Sequence, residues 1–253
     1  MIGSRIKSYI CCMLHKTRGI VLKTTDYGDS SIIAQVFTEK LGLQSYLVNG
    51  IKKPKSRISL NVLQPLHLLE MVVYQKNTVS VQRARDIRNQ PVFLRIPLDI
   101  SKSTVTLFLC EVLYKVLRQQ PGEDVPLFGY IFNSMELLDH QEGSPANFHL
   151  LFLMGLTRYL GFFPDTRMAG YGYFDLQNGR FMEREPLHPW YIGPPLASRW
   201  KELAESSYEY LGDIKISPPE RQQLVKGLLE YYSLHVEGFG KVRSYEILQE
   251  LFA

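Results

Sequence analysis

Cysteine is scarce in this chain of 253 residues: only Cys11, Cys12 and Cys110 occur, with no C-x-x-C pair. That leaves neither a disulfide framework nor a thiolate zinc site, and it suits a reducing cytoplasm. Long apolar runs are missing too. The best one, FHLLFLMGLTRYLGFF (148–163), is interrupted by Arg158 and falls short of the roughly 20 residues that a bilayer span requires. The opening MIGSRIKSYICCML has two basic residues, a very short apolar patch and no A-x-A-like cleavage site, so it does not read as a signal peptide. Residues 1–12 are read as a leader ahead of a natural start at Met13.

Catalytic groupings are also lacking. His15, His67, His140, His149, His188 and His235 are scattered and form no H-E-x-x-H or other metal-ligand pattern. EGFGKVRS (237–244) has two glycines and a lysine, but neither the spacing nor the strand-to-helix context of a phosphate loop. In MEREP (182–186), Arg184 separates the two carboxylates and makes a self-neutralised surface the better account. A non-enzyme without a bound metal or cofactor is expected.

What the chain does have is an uneven charge. Up to Arg95 there are fifteen Lys and Arg against five Asp and Glu, and after it fourteen against twenty, within a net charge of +4. Such asymmetry points to a module facing a polyanion, joined to one with another task, or else to a surface kept soluble. The periodicity changes near the same place. Alternating, β-branched segments at 18–24, 31–39, 43–50, 63–75 and 78–87 are separated by turn clusters such as TDYGDS, predicting five strands closed into an OB-fold barrel. In the third, Leu43, Ser45 and Leu47 share one face and Gln44, Tyr46 and Val48 the other. Helical periodicity then marks 101–120, 126–141, 147–162, 197–212, 218–236 and 244–252, with Ser101 or Ser103 as the first cap and Pro121 and Gly122 closing that helix. DLQNGRF (175–181) signals a hairpin with a type I′ turn at Asn178 and Gly179. The expected architecture is α+β and multi-domain: an OB-fold at 13–95, then a helical domain at 96–253 with a hairpin insertion near 170–195.

The loop NGIKKPKSR (49–57) concentrates Lys52, Lys53, Lys55 and Arg57 around Pro54, directly after a strand. Gly50 permits the turn and Pro54 narrows the conformations of the lysines beside it, so the cations can meet phosphates without reading bases. Lys16, Arg18, Lys23 and Lys40 extend the same surface. Tyr27, Phe37 and Tyr46 are either base-stacking planes beside it or barrel core.

RGIVLKTTDYGDSSIIAQVFTEKLGLQSYLVNGIKKPKSR (18–57) resembles the N-terminal OB-fold of the bacterial RecO family, through G-I-V-L, D-Y-G-D-S, F-T-x-x-x-G and a basic G-x-x-x-P-x-S-R loop. LFLMGLTRYLGFFPD (151–165) is similar to the leucine-rich helix of that family's C-terminal domain, and together these cover nearly all the chain from Met13. The resemblance implies a non-enzymatic mediator of homologous recombination in the bacterial cytoplasm, associated with the nucleoid during repair. It binds single- and double-stranded DNA and anneals complementary strands. With RecR it helps place RecA on DNA coated by single-strand-binding protein (SSB), whose C-terminal tail it contacts. The family's basic barrel residues carry over to Lys16, Arg18, Lys23, Lys52, Lys53, Lys55 and Arg57. A scaffold that bridges SSB and RecR with little DNA contact is the other reading. The tail would need an apolar pocket with a basic rim, for which Arg158, Lys226, Lys241 and Arg243 are the candidates. Many members hold zinc with four cysteines after the Gly-Phe segment, whereas residues 161–195 here contain none. Tyr171, Tyr173, Phe174, Phe181, Trp190 and Tyr191 are expected to pack where that metal would sit.

Overall fold

The computed structural model describes residues 13–54, 56, 58–76, 79–120, 122–167 and 172–252, and the chain divides between Val92 and Phe93 into two units. The proposed leader, residues 1–12, together with Pro121 and Tyr171, lies outside the described residues.

In the first unit, β1 (Met13–Tyr27), β2 (Ser31–Thr38), β3 (Gly42–Val48), β4 (Leu68–Gln75) and β5 (Val81–Asn89) close a barrel in the order β1-β2-β3-β5-β4. This is an OB-fold. All neighbours are antiparallel except β3 and β5, which run parallel. The first strand is more than twice as long as the 18–24 expected, because it serves two partners, pairing β4 along its first half and β2 along its second. Gly19 lies where the two pairings overlap, and a Cβ there would stand 2.6 Å from Val36 Cγ1 and 2.9 Å from Met71 Sδ. Only glycine lets the three strands approach so closely. The fourth strand is shorter than 63–75 because a 3₁₀ turn at Leu60–Leu63 and the turn through Pro65 and Leu66 (φ 55°) precede it. The fifth is shifted from 78–87 to Val81–Asn89. Val21, Ile32, Val36, Tyr46, Val48, Leu69, Met71 and Ile87 fill the interior.

The second unit contains α1 (Ile100–Leu117), α2 (Val125–His140), α3 (Phe148–Leu160), α4 (Leu196–Glu205), α5 (Pro218–His235) and α6 (Ser244–Leu251). Neither Ser101 nor Ser103 caps α1. Asp99 does, its carboxylate accepting the N–H groups of Ser101 (2.8 Å) and Lys102 (3.2 Å), while the Ser103 hydroxyl donates back to the Ile96 carbonyl. The fourth helix ends at Glu205 rather than 212, and a 3₁₀ turn at Tyr208–Tyr210 follows. The expected hairpin becomes a three-stranded sheet of β6 (Tyr173–Asp175), β7 (Arg180–Met182) and β8 (Tyr191–Ile192), with β6 central. Its turn is not a two-residue type I′, since Asp175 pairs with Arg180 across four residues and only Gly179 has a positive φ. The Asp175 carboxylate organises that loop by accepting the N–H groups of Gln177 and Asn178. Phe174 packs on Phe181, Trp200 and Tyr231, with ring centroids 4.9 to 5.8 Å apart, and Tyr173 packs edge-on to Tyr191 at 5.8 Å. Aromatic contacts hold this sheet to the helices.

The entry into the helical unit is fixed by one buried carboxylate. Asp139, 3% exposed, accepts the N–H groups of Leu94, Arg95 and Ile96 at 2.8 to 2.9 Å. Lys102 Nζ, equally buried, donates to the carbonyls of Asp139 and Gln141. Burial raises the Asp139 pKa, but the three backbone donors outweigh it and leave the value below the ordinary one. Asp139→Ala strands three N–H groups and is expected to cost about 2–5 kcal/mol in denaturant or thermal unfolding. A carboxyl with a depressed folded pKa stabilises above its unfolded pKa and loses that contribution as pH falls through the folded value. The stability gap between wild type and Asp139→Asn therefore narrows below about pH 4.

Candidate nucleic-acid interface

The barrel closes along a short seam. The third and fifth strands pair at only three positions, Ser45 with Val81, Tyr46 with Gln82 and Leu47 with Arg83. Beyond them the fifth strand turns away, and its ladder with the fourth skips from Val73–Ala84 to Val72–Asp86, leaving Arg85 as the extra residue of a bulge. Alternation along this strand buries Gln82 and exposes Val81, Arg83 and Arg85. A cavity of about 680 Å³ opens on one side of the seam and one of about 510 Å³ on the other, both lined by Leu47 and Arg83. The first continues to Tyr27, Tyr74 and Lys76, and the second to Arg85 and the start of the basic loop.

That loop is anchored rather than loose. Gly50 has φ 68°, Ile51 is buried in the barrel, and the N–H groups of Lys52, Lys53 and Ser56 donate to the carbonyls of Ser30, Gly50 and Lys53 at 3.0 to 3.2 Å. The Lys52 ammonium is 2.6 Å from Asp26, whereas Lys53 is exposed with no carboxylate partner among the described residues. Lys55 and Arg57 lie outside the described residues.

The other predicted cations gather differently. Lys16 is 2.7 Å from Glu70, Arg18 is 2.7 Å from Glu39, and the Lys40 ammonium donates to the Lys16 carbonyl at 2.9 Å. Arg88 also pairs with Glu70, in a cross-strand row Arg18–Glu70–Arg88. Hydrogen bonds from Lys16 and Arg88 hold the Glu70 pKa below its ordinary value, and Arg18 does the same for Glu39. This side of the barrel is thus partly neutralised from within. Lys23 is exposed on β1, beside the irregularity between Val21 and Lys23. Two of the aromatic candidates are core: Phe37 is 1% exposed and Tyr46 0%, while Tyr27 is 56% exposed.

The structure adds Lys76, Arg83 and Arg85, whose side chains have no carboxylate partner among the described residues, and Tyr74. The signal was present in VQRAR (81–85), where exposed and buried positions alternate. Gln82 shapes the loop above them: its Oε1 accepts from the Lys76 N–H (3.0 Å), and its Nε2 donates to the carbonyls of Lys76 and Val79 (both 2.8 Å).

In the helical unit, Arg158 donates to the Ala204 carbonyl and lies 3.4 Å over the Phe163 ring, Lys226 is exposed on α5, and Lys241 pairs with Glu246. Arg243 donates its N–H to Glu111. No hydrogen bond or ion pair joins any two of these four among the described residues. A small recess lined by His149, Val225, Leu248 and Phe252 has Arg221 as its cation instead. Among the described residues, no three His, Cys, Asp or Glu are grouped to hold a metal, and no helix is long and apolar enough to cross a membrane.

Comparison with known proteins agrees with this geometry. The family model described as "Recombination protein O N terminal" matches residues 13–89, and "Recombination protein O C terminal" matches 97–245. The DNA repair protein RecO of Bacteroides fragilis is 38% identical over 243 residues, 95% of this chain and 100% of that protein. The one from Phocaeicola vulgatus is 36% identical over 242 residues with the same coverage, and that of Flavobacterium psychrophilum 31% over 239, covering 94% and 99%.

Replacing Gln82 with Leu removes three hydrogen bonds that shape the loop between the fourth and fifth strands. The expected loss is about 1–3 kcal/mol in thermal unfolding. Faster amide exchange at Lys76, with the pairing of the first two strands unchanged, is the local signature.

Proposed function

Because the chain belongs to the recombination protein O family of DNA repair proteins, we propose that it is a non-enzymatic recombination mediator. It binds single- and double-stranded DNA, anneals complementary strands, and with RecR helps to load RecA onto SSB-coated single strands in the cytoplasm. The observation that supports the DNA-binding part is the seam: Lys76, Arg83 and Arg85 form no ion pair among the described residues and border two cavities that share Arg83, and Lys53 stands exposed on the basic loop. Each cation that meets a phosphate releases condensed counterions, which supplies affinity without reading sequence. Lys52, Lys55 and Arg57 remain proposed phosphate contacts on the strength of the loop's sequence, and Lys16, Arg18, Lys23 and Lys40 offer a second, weaker track. The surface ion pairs of Lys16 and Arg18 are weak, so a phosphate can displace the carboxylate. Annealing asks for no nucleophile or base; it needs two strands screened from each other and held in reach.

The helical unit is assigned to protein partners. An SSB tail ends in a carboxylate beside apolar side chains, but the recess at Val225, Leu248 and Phe252 is only about 10 Å³, and its Arg221 already donates to Asn147, Ile216 and Phe252. Arg158, Lys226, Lys241 and Arg243 remain the proposed contacts for that tail.

A salt series of single-stranded DNA binding tests the DNA part. The log of the affinity should fall with log salt, by about 0.7 for each phosphate neutralised. Arg83→Ala with Arg85→Ala should weaken binding at least tenfold and flatten the slope by about 1.4, two contacts' worth. Lys52, Lys53 and Lys55 changed together to Glu should weaken it further in a folded protein. Unchanged affinity and slope in both folded variants would move the DNA surface off the seam; no salt-dependent binding by wild type would leave the bridging scaffold.

A further inference from the structure

The larger cavity has a floor that phosphate binding leaves unexplained. Ile33, Leu47, Arg83 and Tyr74 are successive cross-strand partners: Ile33 opposite Leu47, Leu47 opposite Arg83, and Arg83 opposite Tyr74. Direct partners in a sheet present their side chains to the same face, so these four make one row across four strands of the barrel's outside. Ile33, Leu47 and Tyr74 are only half-buried there, and Val81, two residues before Arg83 on the same face, is 37% exposed. Tyr27, 56% exposed at the end of the first strand, lines the same cavity.

An outward apolar strip between two tyrosines is not needed for a barrel that already encloses its own core. The cavity's volume, about 680 Å³, lies within the range of small-molecule sites. Its polar groups are cations: Arg83 stands within the row, and Lys76 is at the rim on the loop that Gln82 fixes. Apolar and aromatic planes beside cations that form no ion pair among the described residues fit a chain that offers flat, uncharged faces and a negative backbone together.

We infer that this platform seats unstacked bases of single-stranded DNA, with Tyr27 and Tyr74 as stacking planes and Arg83 and Lys76 holding the flanking phosphates. A duplex keeps its bases stacked on one another and offers the platform only phosphates. The tyrosines are therefore the residues that set a preference for single strands. The inference rests on the reading of the barrel as the DNA-binding module.

The test is the ratio of single-strand to duplex affinity, measured with oligo(dT) and a blunt duplex of equal length at one salt concentration. Wild type, Tyr27→Ala/Tyr74→Ala and Tyr27→Phe/Tyr74→Phe are compared, each first shown to unfold cooperatively. The alanine pair should lower the ratio about tenfold or more, the stacking contribution of one or two bases, and the phenylalanine pair should keep it. A ratio unchanged in the alanine pair, or equal weakening on both DNAs, overturns the platform while leaving the seam's phosphate role standing. Wild type that binds neither DNA overturns both.

Discussion

The five-stranded barrel closes through its shortest pairing, the three-residue parallel contact of Ser45, Tyr46 and Leu47 with Val81, Gln82 and Arg83. Closure removes the sheet edges that would otherwise seek partners. Its short reach also leaves the strands to diverge above and below. The smaller cavity lies where the third and fifth strands part beyond that contact, under the basic loop, and the larger lies over the paired row of Ile33, Leu47, Arg83 and Tyr74, beside the loop before the fifth strand. The bulge at Arg85 belongs to the same constraint. It lets the fifth strand follow the fourth while leaving the third, and it adds a second exposed arginine beside Arg83.

The charges on the barrel divide according to this geometry. Where the first, fourth and fifth strands lie side by side, Glu70 stands between Arg18 and Arg88 and also meets Lys16, so part of the positive field is spent within the protein. Along the seam, Lys53, Lys76, Arg83 and Arg85 form no ion pair among the described residues, and Asp86 is the one carboxylate that lines either cavity. The first arrangement steadies a sheet surface; the second keeps a field available to a polyanion. Apolar side chains between the seam's cations then decide what form of polyanion suits it.

Much of this was legible in the sequence. Period-two alternation located five strands, and the switch to helical periodicity after Pro97 located the helices that follow them. The face assignment in the third strand was also sound, for Tyr46 shares its face with Val48, and both are core. The same alternation removes Tyr46 from any outward surface. Other features depend on contacts between distant residues. The length of the first strand follows from its two partners, and the cap of the first helix comes from Asp99 at the end of a 3₁₀ turn rather than from the serines inside the helix. Arg83 and Arg85 stood in plain alternation, but their role needed the closure, because only the register shows Arg83 opposite Leu47 and Tyr74. Lysine density in the sequence pointed to the loop, and topology supplied its neighbours.

The central claim is that DNA runs along the seam between the third and fifth strands. Photo-crosslinking of the full chain to single-stranded DNA carrying photoreactive thymidines, with the modified peptides read by mass spectrometry, tests it most directly. The account predicts crosslinks within 27–33, 45–58 and 74–86, with Tyr27 and Tyr74 among the modified side chains. Crosslinks confined to 15–20 and 88, or to the helical unit beyond residue 93, would contradict it.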